Sequence, residues 1–214
     1  MSKSRQQLIA ELAADAQPLK RPGQIGRQVG VWLLVSAVLV GVAIVFGGPM
    51  RPQAAAQLAH SRQFFAESVL GIAAIVALAV AAFRSGIPAP RPMYRRALPA
   101  LLILAAWIVL HVYGIFDPAL TPSMSGKRAA CWLEALLYGM PGLAFGCWWL
   151  RQGWPLQARW SGALLGLAAG AMPALAMQFA CMYAPLHIIE FHLLPGLALG
   201  AVGALLGNRA LGRH

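Results

Sequence analysis

Cys131 and Glu134 fall one helical turn apart in the stretch RAACWLEALL, at the head of a long apolar run where lipid-facing side chains are the norm. Cys181 closes a second apolar run in PALAMQFACMY, and His187, Glu190 and His192 follow it closely. Thiolate, imidazole and carboxylate together form the donor set of a soft or borderline metal such as zinc or cadmium. Two thiols at an oxidising face can also form a disulfide. The plainer readings are that a lone buried Cys is a small apolar filler and that a single intramembrane His or Glu pairs with a neighbour or a carbonyl. Which reading applies depends on whether the surrounding elements bring these residues to one depth.

The elements are membrane spans. Of the 214 residues, 59% are hydrophobic and 11% charged, and the mean hydropathy is +0.66, the composition of an integral membrane protein. A bilayer core about 30 Å thick needs about 20 apolar residues per helix. Runs of that length occupy 30–48, 64–83, 97–116, 129–150, 160–183 and 188–207. They are too long and unbroken for the strands of a lipid-facing barrel. The expected fold is therefore all-α and polytopic, a six-transmembrane-helix bundle over 30–207, with a tail at 1–29 and a short one at 208–214. Residues 1–29 are too long and too mixed in charge for a cleaved leader, so the first run is expected to be retained.

Charge sets the orientation. The net charge is +11, and with the N-terminus inside, all of the 17 basic residues except Arg51, Arg62, Lys127 and Arg128 fall on the cytoplasmic side. That is the positive-inside pattern, and it accounts for the excess charge without direct contact to nucleic acid. Both termini are then cytoplasmic. Cys131 lies at the outer end of the fourth span and Cys181 at the outer end of the fifth, so the thiols are level. Cys147 lies about 24 Å further along the fourth helix, near the cytoplasmic face beside Trp148 and Trp149, where it reads as filler. The outer half also holds Glu67, His111, Asp117, Glu134, His187, Glu190 and His192. The candidate metal ligands are Cys131, Cys181 and Glu134, with His187 and His192 as weaker ones, for a heavy-metal ion acting as a signal; no constitutive cofactor is expected.

The last three spans each contain a proline, Pro141, Pro173 and Pro195, and proline removes a backbone donor and kinks a helix. Gly162, Gly166 and Gly170 in the fifth span and Gly196, Gly200 and Ala204 in the sixth recur at the spacing that lets helix backbones approach in lipid. Spans five and six are expected to pack directly, with the C-terminal half the part that changes shape.

In the tail, Leu8, Ile9, Leu12 and Ala13 fall at helical spacing, Ser4 can cap the start and Pro18 ends the pattern. A helix this short needs a surface to fold against. Its polar face of Gln6, Gln7, Glu11 and Asp15 suits a protein groove better than an anionic membrane. The expected partner surface is Leu8, Ile9 and Leu12, with Asp15, Lys20 and Arg21 setting orientation.

The segments LIAELAADAQPLKRPG, RPQAAAQLAHSRQFFAE, RQGWPLQARWSGALLGLAAGAMPALAMQFAC and GAVGALLGNRALGRH, with Cys131 and Pro141, carry a likeness that covers nearly the whole chain. In these stretches the sequence resembles the NrsF-type membrane anti-sigma factors of proteobacteria. The resemblance implies a six-span protein that holds an extracytoplasmic-function (ECF) sigma factor of the sigma-F kind at the inner membrane through its tail. It also implies a response to heavy metals and oxidants at Cys131 and Cys181, with no role for Cys147. Two other classes are weaker. A small metal or solute transporter needs ionisable groups through the whole bilayer, and the cytoplasmic halves of these spans have none; a membrane thiol oxidoreductase needs a redox dithiol and a quinone site. With no CxxC, HxxxH, Walker loop or shared Ser/His/Asp set, catalysis is not expected.

Overall fold

A computed structural model describes residues 4–14, 25–48, 50–85, 92–152, 155 and 157–211. In chain order the helices are α1 (Arg5–Ala14), α2 (Ile25–Gly47), α3 (Ala54–His60), α4 (Arg62–Arg84), α5 (Met93–Tyr113), α6 (Cys131–Gln152) and α7 (Ala158–Ala180). The last rod joins α8 (Pro185–Ile188), a π-helical stretch (Ile189–Leu193), α9 (Leu194–Leu206) and a second π-helical stretch (Gly207–Leu211). Apart from one isolated bridge between Ser123 and Tyr183, no strand occurs among the described residues.

Five helices are long and apolar enough to cross a membrane: α2, α4, α5, α7 and the rod Pro185–Arg209. The fourth expected span, α6, has 22 residues and packs against α2, α7 and α9, but is less apolar. Its Glu134, Tyr138, Pro141, glycines and tryptophans lower its mean hydropathy. The result is a helical bundle of the membrane type with α7 as its most buried helix, while α6 leaves one face, with Trp132, Leu137, Met140 and Trp148, exposed. At the N-terminus of α5, Pro92 is the cap residue and the helix starts at Met93, earlier than the expected 97. Pro99 therefore sits well inside the helix rather than at the edge of a span.

α1 begins where the sequence indicates. The Gln7 backbone N–H donates to the Ser4 hydroxyl at 3.3 Å and the Ser4 N–H donates to Gln7 Oε1 at 3.1 Å, a reciprocal capping box. Ile9 is exposed on this helix. The side chains of Leu8 and Leu12, and all of Asp15, Lys20 and Arg21, lie outside the described residues.

α7 and α9 form the most extensive helix pair, as expected, but in a different register. A methyl group on Gly162, Gly166 or Gly170 would overlap the backbone carbonyl of Gly203, Leu199 or Gly196 respectively. The seam on the last rod thus runs through Gly196, Leu199, Gly203 and Gly207; Gly200 faces the Leu167 side chain instead. With lipid tails as apolar as Leu, such close backbone contact is what holds membrane helices together.

The prolines behave unequally. α6 and α7 run unbroken through Pro141 and Pro173. Ahead of Pro195 the rod widens into the π-helical stretch Ile189–Leu193. Pro195 has no N–H for the carbonyl four residues before it and its ring crowds that carbonyl, and a wider turn relieves both conflicts.

α2 is fastened to α6 along much of its length. The Trp32 indole N–H donates to the Gly142 carbonyl at 2.9 Å in the buried interior, with Ser36 against Gly142 and Trp32 against Gly146. At the C-terminal end of α2 Arg128 Nη2 donates to the carbonyls of Ile44 at 2.9 Å and Gly48 at 2.8 Å.

Candidate functional site

Cys131 opens α6 and Cys181 follows the last residue of α7, so two antiparallel neighbours bring the thiols together at one end of the bundle. Both cysteines are buried, with Sγ atoms 2.9 Å apart. The Cys131 thiol also reaches the Arg128 carbonyl at 3.2 Å, and His187 Nε2 lies 3.4 Å from the Cys181 sulfur. His187 and His192 meet edge to face at 5.1 Å between ring centroids. One ligand atom from each of Cys131, Cys181, His187 and His192 falls within 4.8 Å of the others.

The π-helical stretch makes this grouping possible. In an α-helix a residue five positions on points well round the cylinder, whereas π hydrogen bonding runs from residue i to i+5 and stacks the two. His192 thereby comes beneath His187, fully buried. Neither of its ring nitrogens has a hydrogen-bond partner of good geometry, and the Cys181 thiol is the one group among the described residues in hydrogen-bonding reach of the ring. An imidazole buried with both nitrogens unsatisfied is costly unless something bonds to it.

Glu134 does not join the group. Its carboxylate accepts from Arg128 Nη1 at 3.0 Å, and the Arg128 side chain is buried. The one-turn spacing from Cys131 is real, but Glu134 serves the cation that clamps α2 to α6. The residues that could hold a metal ion are therefore two thiols and two imidazoles, a set that suits zinc and in which two thiolates would neutralise a divalent charge. Two thiolates on tetrahedral zinc stand about 3.8 Å apart and disulfide sulfurs about 2.0 Å. From 2.9 Å either product needs a shift of less than about 1 Å.

Beside the thiols lies a second buried polar set that sequence reading only partly marked. Glu67 and His111 stood out as intramembrane ionisable groups; Arg51, Gln178 and Tyr183 did not. Gln178 Nε2 lies 2.6 Å from His111 Nε2, whose Nδ1 lies 3.0 Å from the Trp107 carbonyl. Arg51 Nη2 donates to the Gln178 carbonyl at 2.8 Å, and its guanidinium stacks on the rings of Phe64 and Tyr183. Burial works against the Arg51 charge and lowers its pKa, while the Tyr183 and Cys181 side chains act in the opposite sense. The Tyr183 hydroxyl donates to Glu67 Oε1 at 3.4 Å. Gln178, an amide in an apolar run, was the available signal. Asp117 pairs with Tyr113 at the surface, and Glu190 is exposed.

No curated protein and no solved structure matches the chain. A family model described as "Negative regulator of sigma F" matches residues 12–212. The matched span takes in the bundle, the thiol group and the end of α1, and the family is one of regulators rather than enzymes. The chain belongs to this NrsF family, and it is a negative regulator of a sigma factor carried on a bundle of apolar helices.

Proposed function

We propose that the protein is an anti-sigma factor of the inner membrane, with both termini cytoplasmic. It holds an ECF sigma factor through its tail and releases it when a heavy metal or an oxidant joins Cys131 to Cys181. The observation that carries this reading is the pair of buried sulfurs 2.9 Å apart with two imidazoles beside them, one of the two without a partner. A divalent soft metal displaces one proton from each thiol and takes His187 and His192 as its remaining ligands. The unsatisfied His192 favours this over a disulfide, which would leave both imidazoles idle. In the alternative, the two thiols give up two electrons and two protons to a peroxide, which leaves as water.

The fold supplies a route for the signal. Cys131 bonds to the Arg128 carbonyl, Arg128 holds the outer end of α2, and α2 leads back to the tail. Movement at the thiols thus bears on α2, the span that follows the tail, and the tail carries the sigma-binding surface of Leu8, Ile9 and Leu12, flanked by Asp15, Lys20 and Arg21. Pro141 and Pro173 give α6 and α7 hinge points between the thiols and the cytoplasmic ends.

Two variants test the two halves of the reading. Cys131→Ser with Cys181→Ser, at normal expression, abolishes induction of the target genes by cadmium or peroxide while repression persists; normal induction sinks the sensor. Leu8→Asp with Leu12→Asp loses about 1.5 to 3 kcal/mol of apolar burial at each position, so the sigma factor no longer co-purifies and target genes are on without stress. Full retention of the sigma factor by that variant removes the tail as its binding element.

A further inference from the structure

At the end of the bundle away from the thiols, the last turn of α4 and the first turns of α5 enclose an open cavity of about 390 Å³. Its floor is Ala77, Val80, Ala81, Pro99 and Ala100, small apolar side chains that leave a trough between the helices. Its rim is Arg84, Arg95 and Arg96. Arg96 Nη2 donates to the Arg84 carbonyl at 2.6 Å and ties the two helices together at the mouth. Among the described residues neither Arg84 nor Arg95 forms an ion pair, and both are exposed. Tyr94, under the Arg95 guanidinium at 5.8 Å, is an exposed aromatic at the level where tyrosine marks the membrane interface.

An apolar trough parallel to the helices with a guanidinium rim at the headgroup level has the shape and charge of a phospholipid. We propose that this cavity binds an anionic phospholipid, its phosphodiester between Arg84 and Arg95 and the start of an acyl chain against Ala77, Val80, Ala81, Pro99 and Ala100. The charge complementarity decides the class. A zwitterionic lipid carries its own cation and gains little from the rim, whereas an anionic headgroup supplies the counter-charge that no described residue provides to Arg84 and Arg95.

The test uses the full chain purified in detergent and mixed with phosphatidylglycerol and phosphatidylcholine, with bound lipid read by native mass spectrometry. The protein retains phosphatidylglycerol over phosphatidylcholine by about tenfold or more. Arg84→Gln with Arg95→Gln loses about fivefold of that preference for each guanidinium removed. Arg84→Lys with Arg95→Lys keeps most of it, and Arg151→Gln, exposed at the same end of the bundle but outside the cavity, keeps all of it. Excess glycerol phosphate does not compete. Equal retention of the two lipids, or a preference unchanged in the double Gln variant, overturns the proposal. So does full competition by glycerol phosphate, which makes the cavity a site for a soluble phosphate. A double Gln variant that selects lipid normally but no longer retains the sigma factor makes it a protein contact instead.

Discussion

The two ends of the bundle solve different problems with similar helices. At the thiol end, Cys131, Cys181, His192, Arg128, Arg51, Glu67, His111 and Gln178 are packed into the interior and joined by hydrogen bonds or left with unpaired polar atoms. Toward the opposite end, α7 and α9 press glycine against carbonyl along Gly162, Gly203 and Gly207, and among the described residues the buried polar groups shrink to the Ser85 and Ser161 hydroxyls, which bond to each other. Cys147 sets the contrast within one residue type. It is as secluded as Cys131, yet it lies among apolar side chains on the same helix. Burial does not distinguish these two thiols; what stands within bonding distance of the sulfur does.

That contrast can be broken most severely at the seam. Gly166→Leu drives a side chain into the Leu199 carbonyl and separates α7 from α9, a cost of at least about 3 kcal/mol, so the variant fails to accumulate as monodisperse protein. Gly30→Leu is harmless by the same assay, because nothing lies within 4 Å of a Cβ at Gly30. Equal behaviour of the two would deny that close backbone packing holds this half together.

At the thiol end the sharper question is what Glu134 does. Arg128→Met leaves the partly buried Glu134 carboxylate unpaired and the Ile44 and Gly48 carbonyls without that donor, and lowers stability by about 3 kcal/mol in thermal unfolding. Glu134→Gln, which can still accept from Arg128, costs less than about 1 kcal/mol. It leaves cadmium affinity unchanged, whereas loss of a first-rank ligand lowers affinity by tenfold or more. An affinity drop in Glu134→Gln would return the carboxylate to the ligand set. The smallest effect belongs to Cys147→Ser, which leaves induction intact and costs about 1 kcal/mol for placing a hydroxyl among apolar neighbours.

The sequence carried the helices and the thiol pair because both rest on long-period signals. Apolar runs located the long helices, and the antiparallel succession of the fourth and fifth runs put Cys131 and Cys181 at one end of the bundle. It did not carry what depends on the reach of single side chains. Arg128 was an outlier to the positive-inside count, and nothing local shows that its guanidinium turns back to the Ile44 and Gly48 carbonyls. Glu134, one turn from Cys131, is drawn to that cation. The proline signal was read as three kinks, but α6 and α7 run unbroken through Pro141 and Pro173, whereas Pro195 is accommodated by a wider turn, and that turn brings His192 into the site. The glycine spacing gave the right helix pair and the wrong register on the last rod, since a four-residue ladder does not say which side of the helix meets the partner.

The central claim is that Cys131, Cys181, His187 and His192 hold a soft divalent metal. X-ray absorption on the full-length protein loaded with zinc in lipid nanodiscs tests it directly. The account predicts two sulfur neighbours at about 2.3 Å and two nitrogen neighbours at about 2.0 to 2.1 Å, with the sulfur shell lost in Cys131→Ser, Cys181→Ser. A zinc site with only oxygen and nitrogen neighbours, or a sulfur shell that survives in the double variant, would contradict it.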